Sequence, residues 1–214
     1  MDEEITIIDS NTRNEKIKNF FLKNRNKLIT IISILVILLI GYFLLDEIKK
    51  RNKIKLASQY NSSIIEYKIE KKIITINQLI NIVNKKDRTY SPLALYFLLD
   101  NELIQEKEKV NSLFDILIND TNLETEIENL IIYKKALFNA NFIKENELIN
   151  ILSPIINSES IWKSHALYLL AEYFYSKNEK QKAKETFNQI INLLNANTDI
   201  KLEAQKRLNR DLGE

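Results

Sequence analysis

Few residues in this chain could do covalent or metal chemistry, and their spacing argues against it. His165 is the one histidine in 214 residues, so no two-histidine metal site can form. No serine and acid stand with it in a recognisable triad order. Its place beside Ala166, at the start of an apolar-periodic stretch, predicts a packing or capping role. The absence of cysteine removes disulfides, cysteine-ligated zinc, iron–sulfur clusters and a thiol nucleophile together. The acidic stretch DNELIQEKEK at 100–109 interleaves carboxylates with lysines, which is the pattern of an exposed helix face rather than of a metal cluster. Two glycines and two prolines argue against Gly-rich phosphate loops and long β-meanders. The expectation is a protein that is not an enzyme, with no catalytic, metal or cofactor residues. Trp162, the one tryptophan, has two readings: core packing, or an aromatic anchor at a partner interface, where tryptophan is enriched.

Charge excludes another class. The net charge is +2, from 31 Lys/Arg against 29 Asp/Glu. Residues 1–27 carry six basic and five acidic side chains, and residues 46–214 carry 25 and 24. Neither part has the basic excess of a nucleic-acid-binding domain. One local cluster (Lys49, Lys50, Arg51, Lys53, Lys55) reads as a solvated helix face near lipid headgroups.

The element that would position everything else is LITIISILVILLIGYFLL, residues 28–45, between Lys27 and Asp46. As a helix it is ~27 Å long, close to the ~30 Å hydrocarbon core of a bilayer. Ile32, Leu35, Val36, Leu38 and Leu39 cover every face of it, so it is not amphipathic. A buried core helix and a cleaved signal peptide are the alternatives. The second would have a shorter apolar region and a small-residue cleavage site, whereas Tyr42, Phe43, Leu44 and Leu45 run straight into charges. The expected organisation is a cytoplasmic tail at 1–27, a transmembrane signal anchor at 28–45, and one folded domain at 46–214. Six basic residues in 13–27 face five in 46–60, so the charge count does not orient the span.

From Asp46 onward the chain reads as consecutive helices, with breaks expected at Lys85–Thr89, Asn119–Asn122, Asn139–Ile143, Asn157–Ser160 and Asn195–Thr198. Ser91-Pro92 suggests an N-cap with proline at the first helical position, and Thr121 with Glu124 has capping-box spacing. Ile74–Ile76 is the best strand candidate.

The clearest internal pattern is HALYLLAEYFYSKNEKQKAKETFNQII, residues 165–191. Leu167, Leu170, Ala171 and Phe174 share one face of a first helix, Asn178 marks a turn, and Ala183, Phe187 and Ile190 share one face of a second. This resembles the tetratricopeptide repeat, which needs small residues at the positions of Ala171 and Ala183 and a large aromatic at that of Phe187. The second-helix triplet recurs as Leu148/Leu152/Ile155, Val110/Phe114/Leu117 and Ile76/Ile80/Val83, at spacings of 35, 38 and 34 residues. The small first-helix residue recurs as Ala136, while Leu98 and Ile64 occupy its place earlier. Residues 198–212 read as a capping helix with a polar outer face, and Pro154 is expected to kink or shorten its helix. The expected fold is all-α: a single N-terminal transmembrane helix, then a tetratricopeptide-repeat-like solenoid of about four degenerate helix pairs and a cap.

The order of parts resembles the YfgM-type family of tetratricopeptide-like ancillary subunits of the SecYEG translocon. The likeness runs from NEKIKNFFLKNRNK through the span and KLASQYNSSIIEY to IWKSHALYLLAEYFYSKNEKQKAKETFNQIINLLNANTDIKLEAQKRLNRDL. The resemblance implies a single-pass bacterial inner-membrane protein with a cytoplasmic N-terminus and a periplasmic domain. It also implies Sec translocon subunits, a membrane-anchored periplasmic chaperone and exported chains as protein partners, and a role in assisting protein export. It supplies no binding residues. A different expectation is a structural scaffold for envelope or cell-division assemblies, without affinity for unfolded chains.

Overall fold

The structure is a computed structural model that describes residues 2–65, 67 and 71–213, with side chains from residue 14 onward. Among the described residues it is all-helical: α1 (Asp2–Ile65), α2 (Lys72–Asn84), α3 (Tyr90–Asp100), α4 (Lys107–Asp120), α5 (Thr125–Asn139), α6 (Glu145–Ile156), α7 (Lys163–Ser176), α8 (Lys180–Asn192) and α9 (Thr198–Asp211). The chain divides into two units, Met1–Lys55 and Leu56–Glu214.

The first unit is helical and holds the apolar stretch. That helix is long and apolar enough to cross a membrane, with a mean hydropathy of 3.0 over its best 18-residue window. None of that window is buried within the helix's own unit.

The second unit holds two hydrophobic clusters. One runs from Leu56 to Ile131 and the other from Ile132 to Leu212. In the second cluster α5 packs on α6, α7 on α8, and α9 closes on both α8 and α7. The fully buried residues of α4, α6 and α8 recur in register: Val110/Phe114/Leu117, Leu148/Leu152/Ile155 and Ala183/Phe187/Ile190. Of the triplet expected in α2, Val83 is fully buried, but the set that keeps the helical spacing lies one residue earlier. Thr75, Leu79 and Ile82 are buried, while Ile76 and Ile80 are only partly covered. The spacings then become 35, 38 and 35 residues. Apolarity could not locate this face, because Ile73 and Ile74 are exposed on the same helix. Ile74–Ile76 therefore belongs to a helix, not to a strand.

The helix ends also differ from expectation. Ser91 is buried inside α3, where its hydroxyl donates to Ile82 O at 2.7 Å and accepts from Asp87 N–H at 2.8 Å. The true start is capped by Asp87, whose carboxylate accepts from the N–H groups of Thr89 (2.9 Å) and Tyr90 (2.7 Å). Pro92 sits third in the helix, where the first turn tolerates it. Thr121 closes α4 instead of opening α5: its hydroxyl donates to Ile116 O at 3.0 Å. At α6 the Glu147 carboxylate reaches back to the Lys144 N–H at 3.3 Å. Residues 101–106 are a loop with Leu103 buried, so DNELIQEKEK is not one exposed helix face. α6 runs through Pro154 and ends two residues later, at Ile156. Asn178 does mark the α7–α8 turn, in the left-handed region with φ 62°.

Candidate protein-binding surface

The positions expected to pack the repeats are all buried in the second cluster: Ala136, Leu148, Leu152, Leu167, Leu170, Ala171, Phe174, Ala183, Phe187 and Ile190. Alanine at 136, 171 and 183 leaves no side chain beyond Cβ, so neighbouring helices can approach at the short end of the ~8–10 Å range. Phe187 then fills the space between α7 and α8, and Tyr168 meets it edge-on at 5.5 Å between ring centroids.

With those residues turned inward, a half-covered stripe remains on each of α5 and α7. On α5 and its C-cap it is Leu130, Tyr133, Leu137 and Ala140; on α7 it is His165, Tyr168, Glu172 and Tyr175. Successive members are three or four apart, which puts each set on one helix face. The two stripes are related by the same 35-residue step as the buried alanines. Leu137 is the most exposed member, at 51%.

An aromatic group lies across the α5–α7 seam. The Trp162 ring stacks on Tyr133 with centroids 6.1 Å apart, and His165 lies 5.1 Å from Trp162 and 6.0 Å from Tyr133. Trp162 Nε1–H donates to Glu126 O at 3.0 Å, and the Ser160 hydroxyl donates to the Glu126 carboxylate at 2.8 Å. Trp162 is therefore half-buried and held in place. One edge of its ring is committed to α5, so it acts first as a seam residue and only secondarily as a contact surface. His165 packs rather than caps: its Nδ1 is buried without a hydrogen-bond partner, and burial holds its pKa below the usual imidazole value. Burial likewise pushes the Tyr133 phenol up.

At the other end of the α7 stripe, α9 closes over it. The Arg207 guanidinium forms a bidentate pair with Glu172 (Nε–Oε1 2.6 Å, Nη2–Oε2 2.7 Å), also bonds Asp211, and lies 4.4 Å from the Tyr175 ring centre. Desolvation, with the Glu172 carboxylate nearby, pushes the Tyr168 phenol up to about 12. This pair was not read from the sequence, although Arg207 lies 35 residues after Glu172, in the same repeat column. On α9 and its C-cap, Ala204, Leu208 and Leu212 turn inward, while Gln205, Lys206, Asn209 and Arg210 face solvent beside the exposed Leu202.

A further cleft of about 220 Å³ lies within the second unit, lined by Ser58, Gln59, Ser62, Ser63, Gln78, Asn81 and Ile82. It carries no charge. Among the described residues no group of three or more His, Asp or Glu could hold a metal ion. What the arrangement offers is a helical face with aromatic and aliphatic contact area.

No family model, curated protein or solved structure matches this chain.

Proposed function

We propose that this is a membrane-anchored protein-binding module without catalytic activity. In this reading residues 28–45 cross the membrane, α5–α8 form two tetratricopeptide-like pairs, and α9 caps them. The observation that carries it is the 35-residue recurrence of buried small and large residues, Ala136/Leu148/Leu152/Ile155 and Ala171/Ala183/Phe187/Ile190, on a chain headed by a span-length apolar helix. Stacked pairs present a continuous face, and a single span confines that face to the membrane plane, where its effective concentration beside other membrane complexes is raised.

The specific role we propose follows the resemblance to the YfgM-type family. The helical domain stands on the periplasmic side of a bacterial inner membrane, beside the Sec translocon, and assists newly exported chains together with a periplasmic chaperone. The test is crosslinking in native membranes followed by purification of the full-length chain. Recovery of translocon subunits together with a periplasmic chaperone is the expected result. Recovery of self-association or division proteins alone would replace this reading with that of a structural scaffold.

A further inference from the structure

The two flanks of the apolar stretch repeat one chemistry. From residue 14 to residue 27, Lys16, Lys18, Lys23, Arg25 and Lys27 accompany a single acid, Glu15. From residue 46 to residue 55, Lys49, Lys50, Arg51, Lys53 and Lys55 accompany Asp46 and Glu47. All ten cations are exposed. Both acids of the second flank are already engaged, Asp46 with Lys50 at 2.9 Å and Glu47 with Arg51 at 2.8 Å. Among the described residues Lys49, Lys53 and Lys55 have no carboxylate within ion-pair distance, nor has any cation of the first flank.

Depth decides which of these cations meet lipid. The headgroup layer adds roughly 5–8 Å on each side of the hydrocarbon. Helical side chains lean toward the helix N-terminus. On the second flank that lean points back toward the apolar stretch. Lys49 and Lys53, ~6 Å and ~12 Å beyond Leu45 along the helix, can therefore lower their amines into the headgroup layer. On the first flank the lean points away from the stretch. Lys27 and Arg25, ~2 Å and ~5 Å outside Leu28, can therefore raise their charges into the opposite headgroup layer. At those depths the counter-charge on offer is lipid phosphate. A zwitterionic lipid brings its own cation with that phosphate, and an anionic lipid does not.

We infer that Arg25 and Lys27 on one side, and Lys49 and Lys53 on the other, bind the phosphates of anionic phospholipids, so that the span carries an anionic lipid shell in both leaflets. This rests on residues 28–45 crossing the membrane. Flotation of the full-length chain with pure phosphatidylcholine vesicles tests that premise by itself. Failure to float, or release by alkaline carbonate, would overturn the membrane reading and this inference with it.

With flotation established, the protein is reconstituted in nanodiscs of phosphatidylcholine containing a minor fraction of phosphatidylglycerol. The lipid it retains is then counted by native mass spectrometry. The expected result is several-fold enrichment of phosphatidylglycerol over its bulk fraction, weakened by raised salt. Lys49→Gln with Lys53→Gln should remove roughly half of the enrichment, and adding Arg25→Gln and Lys27→Gln should remove the rest. Retained lipid that mirrors the bulk composition, or enrichment unchanged in the fourfold variant, would overturn the inference while leaving the span intact. Binding of inorganic phosphate by the detergent-solubilised chain without any lipid preference would overturn it as well.

Discussion

The two hydrophobic clusters of the second unit are built from the same kind of helix but solve the packing problem differently. The cluster from Ile132 to Leu212 contains five fully buried alanines: Ala136, Ala166, Ala171, Ala183 and Ala204. The cluster from Leu56 to Ile131 contains one, Ala94. Where the later cluster has Ala136 and Ala171, the earlier one has Leu98, also fully buried. It fills its space with larger groups, and rings meet at Tyr60–Tyr90, Tyr67–Phe97 and Phe114–Phe138. Within it α3 packs mainly on the preceding helix, α2, and only lightly on α4, whereas α7 packs mainly on the following helix, α8. A small residue in the first helix lets it approach the next helix closely; a leucine there holds the two apart and favours a different pairing. The two pairings thus differ at a position where the side-chain volume differs.

The largest expected effects test whether the two clusters share a column despite that difference. Phe114 and Phe187 occupy equivalent places and are both fully shielded from water. Phe187→Ala should cost ~3–5 kcal/mol of unfolding free energy, and Phe114→Ala a similar amount. Urea titration of the helical signal measures both. A Phe114→Ala cost below ~1 kcal/mol would break the equivalence, since it would mean the earlier cluster collapses around the gap.

Exchanging the volumes sharpens the comparison. Leu98→Ala should destabilise by ~2–5 kcal/mol, because the earlier cluster is built around the leucine. Ala171→Leu should destabilise by ~1–3 kcal/mol, because α7 and α8 have no room for it. If Leu98→Ala proved neutral or stabilising, α3 could pair with α4 as α7 does with α8. The irregularity would then be set at residue 98 alone, and not by the larger groups packed around it.

The later cluster was legible in the sequence because its signals are redundant. Ala171, Ala183, Phe187 and the Asn178 turn each point to the same register, and residues 165–191 fold as that register requires. The earlier cluster was not, for physical reasons that can be named. α2 is apolar on more than one side, so the register of its buried face had to be set by packing, and a threonine at 75 is part of it. Caps were misplaced because Ser91 and Thr121 can hydrogen-bond in either direction along the chain. Ser91 reaches into α2 and Thr121 reaches back into α4. The half-covered stripe on α5 and α7 became visible only once the inward residues were subtracted. The Glu172–Arg207 pair depends on α9 closing over α7, a tertiary event that no local pattern encodes.

That pair gives the next smaller effect. Glu172 and Arg207 are each partly exposed, so solvent screening limits what their bidentate geometry contributes. Glu172→Gln should cost ~1 kcal/mol or less, and the loss should shrink in high salt. A counterpart lies between α4 and α5, where the two clusters meet: Lys135–Asp115, at 2.6 Å. Asp115→Asn should behave alike if both helix junctions rely on packing first and charge second. A loss well above 1 kcal/mol for Glu172→Gln alone would show that α9 is held on by charge.

The smallest effect concerns His165, and its sign follows from burial. The folded protein holds the imidazole in contact with Trp162 and Tyr133, with Nδ1 unpartnered, so its pKa lies below the unfolded value of about 6.5. As pH falls through 6.5, the unfolded chain takes up a proton that the folded chain resists, and stability drops; above 6.5 neither state carries that proton and the contribution is flat. Between pH 7 and pH 6, above the carboxylate range, the decline should be on the order of a few tenths of a kcal/mol. His165→Phe keeps the ring and removes the titration, so its stability should not vary over that interval. An equal decline in the variant would place the pH dependence elsewhere, because this chain has no second histidine to supply it.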